Sequence, residues 1–284
     1  MPAPLPRPPV ALTIAGSDPS GGAGVQADLK TFSALGAYGT SVLTALTAQS
    51  TRGVTDVHEV PIAMVRAQVE TLVADVRVDV VKVGMLASRT LVETVHDLLC
   101  DGPLADAPLV LDPVMVSTSG SRLLAEDAVA AVRALLPRAD VVTPNVPEAA
   151  VLLDVPAARS REELAEQARR LRALGARRVL AKGGHLDGDE SVDLWVDDSG
   201  PVPLDAPRIP TGSTHGTGCT LSSAIAALRP RHREWLPAVV EAKAWLTEAL
   251  RHGDALDIGG GPGPVHHFHE QERWRVPRGG RSSG

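Results

Sequence analysis

The segment Gly212-Ser213-Thr214-His215-Gly216-Thr217-Gly218-Cys219 runs directly into the apolar stretch Thr220 to Leu228. A glycine-rich turn that opens a helix presents free backbone N–H groups and the positive end of the helix dipole, so an anion fits there. Glycines at 216 and 218 let the backbone approach that anion closely. Cys219 falls in the first turn, where the same field favours the thiolate and makes it a candidate base or nucleophile. A cysteine that merely packs is the other reading of this residue.

Two acids and a lysine stand at comparable places. Asp112 closes the apolar run Leu109 to Leu111, Asn145-Val146-Pro147-Glu148 follows Val141 to Thr143, and Lys182-Gly183-Gly184-His185 ends the run from Arg178. Asn145 and Glu148 have the spacing of a capping box, which needs no ligand. Beside an anion-binding turn and Lys182, however, Asp112 and Glu148 supply what phosphoryl transfer needs. They are carboxylates able to hold Mg²⁺ through water, next to a cation and to amides for the transferred group. A second glycine cluster, Gly16 to Gly24, imitates two nucleotide signatures and satisfies neither. A phosphate-binding P-loop needs Gly-Lys-Ser/Thr where Gly21 and Gly22 stand. The dinucleotide pattern lacks its ribose-binding acid, since residues 42 to 53 contain none.

These residues must be positioned by regular elements, and the apolar periodicity sets them out. Val10 to Ala15 reads as a buried strand, and Val25, Leu29, Phe32, Ala34 and Leu35 as one face of a helix ending at Gly36. Further strands are expected at Thr40 to Ala48, Val54 to Val60, Val78 to Val83, Leu109 to Leu111, Val141 to Thr143 and Arg178 to Lys182. Helices are expected at Met64 to Val76, Leu91 to Leu99, Glu126 to Leu136, Arg161 to Leu174, Thr220 to Leu228 and Trp235 to Arg251. Alternation at Val192, Leu194 and Val196 suggests an antiparallel pair at a sheet edge within Ser191 to Ile209. Short strands apolar on both faces and separated by helices demand a mostly parallel sheet covered on both sides. In such a sheet ligands bind beyond the carboxyl ends of the strands. Gly16-Ser17-Asp18, Gln49-Ser50-Thr51, Gly84-Met85, Asp112, Asn145 and Lys182 should therefore meet on one edge. The segments up to Pro9 and from about Glu272 read as loose tails.

Composition narrows the partners. With 28 Lys and Arg against 34 Asp and Glu, the net charge is −6, and only four Trp, two Phe and one Tyr are present. A protein that tracks a nucleic-acid backbone is normally basic, so nucleic acid is not an expected partner. Cys100 and Cys219 form no ligand or disulfide ladder, and no run of about 18 apolar residues occurs, so a soluble protein of the reducing cytoplasm, with no membrane partner, is expected. His266-His267-Phe268-His269 lacks an accompanying cysteine or carboxylate set, which argues against a metal site there.

The motifs Ala15 to Asp28, Val83-Gly84-Met85, Leu111 to Met115, Thr143 to Glu148, Lys182 to His185 and Thr214 to Cys219 occur in an order that resembles the bacterial hydroxymethylpyrimidine/phosphomethylpyrimidine kinases of thiamine biosynthesis. The likeness covers roughly residues 10 to 270. It implies an α/β, ribokinase-like three-layer sandwich in a single kinase domain, MgATP as co-substrate, a pyrimidine phosphorylated twice in succession, and a homodimer. By the same resemblance Gly16, Asp28, Gln49 and Met85 form the pyrimidine pocket, and Gly216, Thr217 and Gly218 the anion hole. Cys219 stands at the place of the catalytic base, Asn145, Glu148 and Asp112 form the Mg²⁺-phosphate part, and Lys182 contacts phosphate. Gln49 both donates and accepts, as an aminopyrimidine edge requires, and Asp28 accepts from an exocyclic amine. Ser50 departs from the family, in which Asn is frequent. A pyridoxal kinase of the same superfamily and a non-catalytic pyrimidine-binding protein are the competing readings; Gln49 and Met85 favour the pyrimidine over pyridoxal.

Overall fold

A computed structural model describes residues 7–115, 123–184, 186, 188 and 190–271. Strands β1 (Val10–Ala15), β2 (Tyr38–Leu43), β5 (Val80–Val83), β6 (Leu109–Leu111), β7 (Val141–Val142), β8 (Val179–Lys182), β9 (Glu190–Asp197) and β10 (Gly200–Pro207) form one sheet. Its order is β10-β9-β8-β7-β6-β5-β1-β2. All neighbours from β8 to β2 run parallel, and β9 and β10 add an antiparallel edge. Strand order reverses between β1 and β5, the position at which a sheet of this kind forms its ligand crevice.

Side chains alternate across the sheet and serve two cores. Leu12, Ile14, Val81, Val83, Leu109 and Leu111 face the layer of α2 (Ile62–Val73), α3 (Arg89–Cys100), α4 (Val129–Leu135), α5 (Val146–Leu153) and α6 (Arg161–Ala173). Ala11, Val80, Val110 and Leu180 face α1 (Gly24–Ala34), α7 (Thr217–Leu228) and α8 (Trp235–Arg251). The expected mostly parallel, doubly covered sheet is therefore present. Helix α5, apolar apart from Glu148, carries no amphipathic period to announce it, and is capped by Asn145.

One expected strand divides. The stretch Thr40 to Ala48 is the end of β2 and the start of β3 (Ala45–Ser50), and β3 pairs antiparallel with β4 (Gly53–Glu59) in a separate two-stranded arm. Thr44 makes the break. Its N–H donates to the Ala15 carbonyl at 3.0 Å as the last bond of the β1–β2 ladder, and its hydroxyl donates to the Met85 carbonyl at 3.0 Å, a partner outside that ladder. The arm turns back over the crevice, where the Thr47 N–H donates to Ser17 Oγ at 3.2 Å and the Thr47 hydroxyl to the Ser17 carbonyl at 2.8 Å.

Of the two expected tails, residues 1–6 and 272–284 lie outside the described residues, as does His185 of the Lys182 motif. Residues 7 to 9 are not loose: Arg7 donates to Asp79 Oδ1 at 2.9 Å, and the Tyr38 N–H to the Pro9 carbonyl at 2.8 Å. Among the described residues no helix is long and apolar enough to cross a membrane.

Candidate active site

The carboxyl edge gathers a polar cluster at one end of the crevice. Asp112 follows β6, is 1% exposed, and accepts from Lys182 Nζ at 2.8 Å and from the Thr143 hydroxyl at 2.9 Å. Lys182 closes β8 and also lies 3.9 Å from Glu148 Oε2. Burial alone would raise the Asp112 carboxyl, but the Lys182 and Lys82 ammonium groups and these hydrogen bonds hold it below the usual range. Burial likewise opposes the charge on Lys182, and Asp112 and Glu148 outweigh it. Glu148 is pushed up to about 7 by burial, with Lys182 lowering it and Asp112 raising it. Asn145 and Glu148 form the capping box that their spacing allows. The Asn145 side chain accepts from the Glu148 N–H at 2.9 Å, and Glu148 Oε2 from the Asn145 N–H at 2.8 Å. The cap and the site are thus one device, because capping fixes the carboxylate that faces Lys182.

The start of α7 adjoins this cluster. A Cβ built on Gly218 would lie 3.1 Å from Lys182 Nζ and 3.7 Å from Asp112 Oδ2, so the absence of a side chain lets the helix start abut the charged groups. Gly216 holds φ +74° and its Cβ position falls 1.8 Å from the Gly22 carbonyl oxygen, so only glycine fits. The first-turn amides of Gly218 and Cys219 have no carbonyl one turn back within the helix and face the site as an anion hole requires. Thr217 departs from the expected triplet: its N–H and hydroxyl are both turned to the Thr214 carbonyl, at 3.3 and 2.7 Å.

Cys219 is half-buried in the first turn of α7. The thiolate expected from the dipole argument is nevertheless not the resting state. Burial pushes the thiol up to about 11; Lys82 pulls it down, while Asp28 and Asp112 push it further up. Desolvation and the two carboxylates outweigh the Lys82 ammonium.

Gly16, Met85 and Gln49 line the other end. A Cβ on Gly16 would come 3.2 Å from Met85 Sδ, so loops after β1 and β5 touch there. Gln49, half-buried on β3, accepts from the Thr47 hydroxyl at 3.2 Å and belongs to the arm rather than to the main sheet. Ser50 lies at the exposed tip of that arm, where its hydroxyl accepts from the Arg52 N–H at 3.2 Å.

Asp28 does not join this lining. It is fully buried on α1 and accepts from the Thr13 hydroxyl at 2.6 Å, Lys82 Nζ at 2.8 Å and the Ser223 hydroxyl at 2.7 Å. Two donors on Oδ2 and one on Oδ1 tie α1, α7 and the sheet together through this carboxylate, and Oδ1 keeps one acceptor position. Lys82 and Thr13 are register partners on neighbouring strands and both point at the α1 and α7 layer. Sequence reading missed Lys82. Its signal was a lone lysine inside the run Val80 to Val83, which in a buried strand requires a carboxylate partner. In the C-terminal segment, His267 Nε2 lies 3.1 Å from the Thr220 hydroxyl, and the His269 ring packs 5.5 Å from that of Trp245. Burial pushes His267 down to about 3.

A crevice at a strand-order reversal, with its charged groups set against a glycine-rich helix start, defines a ribokinase-like phosphotransferase. In shape the chain is similar to a pyridoxal kinase from Staphylococcus aureus solved in complex with AMP-PCP, with a TM-score of 0.84 and 33% identity, covering 93% of this chain and 95% of that one. In sequence it is 55% identical over 260 residues to the hydroxymethylpyrimidine/phosphomethylpyrimidine kinase of Escherichia coli K12, 91% of this chain and 97% of that protein. It is 48% identical to the thiamine biosynthesis multifunctional protein ThiED of Corynebacterium efficiens, over 92% of this chain and 35% of that longer protein. The family profile described as phosphomethylpyrimidine kinase matches residues 18–266. The chain belongs to the phosphomethylpyrimidine kinase family, and it is a kinase.

Proposed function

We propose that the protein, acting as one kinase domain in the cytoplasm, transfers the γ-phosphoryl group of ATP to the hydroxymethyl oxygen of 4-amino-5-hydroxymethyl-2-methylpyrimidine. A second ATP then converts the monophosphate to the diphosphate used in thiamine biosynthesis. The observation that carries this reading is the family membership, joined to a crevice with Gln49 and Met85 at one end and Lys182, Asp112, Glu148 and the α7 start at the other. In the first transfer the substrate O–H bond breaks as the oxygen–phosphorus bond forms. ADP leaves, and Cys219 in its thiolate form, at the start of α7, takes the proton and becomes the thiol. Lys182 and the amides of Gly218 and Cys219 bind the phosphoryl oxygens, and Gly16, Met85 and Gln49 orient the ring.

Magnesium fits the residues present. Among the described residues no group of three or more His, Cys, Asp or Glu converges. Mg²⁺ asks for less, keeping most of its waters and using one or two carboxylates beside phosphates. Asp112 and Glu148 would hold it, and when bound it supplies neutralisation of phosphate charge. Glu148→Gln is expected to shift the Mg²⁺ titration of turnover to distinctly higher concentration. An unchanged titration removes Glu148 from the ion's surroundings.

If Gln49 reads the aminopyrimidine edge, Gln49→Leu strands polar groups on both sides, at about 1–3 kcal/mol for each. Calorimetry should then show weakened pyrimidine binding with ATP binding retained. Equal weakening of both ligands would mean that Gln49 supports the arm and does not read the ring.

A second reading, pyridoxal phosphorylation, has one observation in its favour, the similarity in shape to the Staphylococcus aureus pyridoxal kinase. Turnover of the two substrates side by side decides between them, with the pyrimidine expected to have the higher kcat/KM. The proposed homodimer rests on the family resemblance.

A further inference from the structure

The two glycine-rich loops meet along a seam, and a buried pair of side chains closes it. Asp18, in the loop after β1, and His215, in the loop before α7, are 1% and 5% exposed, with His215 Nε2 lying 2.7 Å from Asp18 Oδ2. The same Oδ2 accepts from the Ala23 N–H at 2.8 Å, while Oδ1 accepts from the Ser20 N–H at 2.9 Å and the Ser20 hydroxyl at 2.7 Å. Hydrogen bonds from His215 and Ser20 outweigh burial and keep Asp18 ionised below the usual carboxylate range. Ala23 is the residue from which α1 starts, and its Cα lies 3.1 Å from where a Cβ on Gly216 would stand, against the start of α7. Asp18 therefore grips the backbone at the point where the start of α1 meets the start of α7.

His215 is fixed from its own side. Its N–H donates to the Gly263 carbonyl at 2.9 Å, and its ring stands where a Cβ on Gly22 would come within 2.3 Å of Cδ2. One residue further on, Gly216 meets the Gly22 carbonyl at backbone contact. The starts of α1 and α7 are thus held together by one charged hydrogen bond and two glycine contacts, with no side chain between them. Neither Asp18 nor His215 lines the crevice.

We propose that Asp18 and His215 are positioning residues for phosphoryl transfer, a latch that keeps the start of α1 in register with the start of α7 so that Cys219 and its neighbouring amides meet the reacting oxygen together. The inference rests on the reading of Cys219 and the first turn of α7 as the reacting end. A displacement of the order of 1 Å in a reacting group costs on the order of 10²-fold in rate. Binding of the ring depends on Gln49, Met85 and Gly16, on the far side of the crevice. Loss of the latch should therefore appear in kcat and leave KM nearly alone.

The test is steady-state kinetics of the full-length protein with hydroxymethylpyrimidine and ATP, comparing the parent with His215→Phe, His215→Gln and Asp18→Asn. In His215→Phe, kcat for the first transfer should fall on the order of 10²-fold, with KM for both substrates within a few-fold of the parent. His215→Gln, which keeps a side-chain N–H donor, should recover most of that loss, and this rescue is what a merely structural role does not predict. If His215→Phe does not fold, Asp18→Asn carries the same expectation, because its amide nitrogen faces the Ala23 N–H. A kcat within a few-fold of the parent in a folded latch variant overturns the proposal, as does a rise in KM at constant kcat. Turnover in the parent with an undiminished variant sinks the latch alone. A parent that does not phosphorylate the pyrimidine sinks the functional reading and the latch with it.

Discussion

Cys219→Ala should separate the two phosphorylations. The first nucleophile is a neutral alcohol from which a proton must be removed; the second is a phosphate oxygen already ionised near neutral pH. General-base assistance contributes about 10²–10⁴-fold, so hydroxymethylpyrimidine turnover should drop by that range while turnover of its monophosphate stays near the parent value. The anion-binding amides belong to the backbone and survive the substitution. With the thiol pushed up to about 11, the thiolate is roughly one part in 10⁴ at neutral pH. It is a scarce but strong base, and its population grows tenfold per pH unit until pH approaches that pKa. The first transfer should accordingly accelerate as pH rises from 7 to 9 in the parent and lose that slope in Cys219→Ala. Parallel losses in both transfers, with the slope retained, would show that Cys219 packs or positions and is not the base.

The largest stability effect is expected at Lys82. Its ammonium and the Asp28 carboxylate are both fully buried at 2.8 Å, beneath Cys219. Burial would push the Lys82 ammonium down, yet Asp28, Cys219 and Asp112 more than offset this and hold it above its usual value. Breaking such a pair from one side leaves an uncompensated charge in the interior and costs about 3–5 kcal/mol. Lys82→Met should therefore lower the unfolding free energy in urea by that amount. Lys82→Met combined with Asp28→Asn should cost less than the two single changes added together, since the residues share one interaction. A loss below about 1 kcal/mol for Lys82→Met would mean that the pair is dispensable, and that Thr13 and Ser223 alone hold Asp28.

Much of this was legible in the residues themselves. Asp112 and Lys182 could be placed because short apolar strands end where polar residues begin, and strand ends converge in a parallel sheet. The Asn145 and Glu148 spacing was read correctly as a capping box, and the structure adds that capping and facing Lys182 are compatible. The arm was not legible, because the apolar content of Thr40 to Ala48 does not change where the chain leaves the sheet. The ladder ends at Thr44, whose hydroxyl is held by the Met85 carbonyl, distant in sequence. The depth of Asp28 is not legible in sequence. Three donors from β1, β5 and α7 occupy it. The thiol's state was misjudged for a related reason: the dipole of α7 is local and readable, whereas burial and the carboxylates at 28 and 112 are supplied by tertiary structure.

The most direct measurement of the central claim is a time course of the purified protein with hydroxymethylpyrimidine and excess Mg²⁺ and ATP, with products separated by chromatography and identified by mass. The monophosphate should appear first and then give way to the diphosphate, with two ADP released for each pyrimidine consumed. ATP left intact beside unmodified pyrimidine, or pyridoxal consumed in preference to the pyrimidine in a mixture of the two, would contradict it.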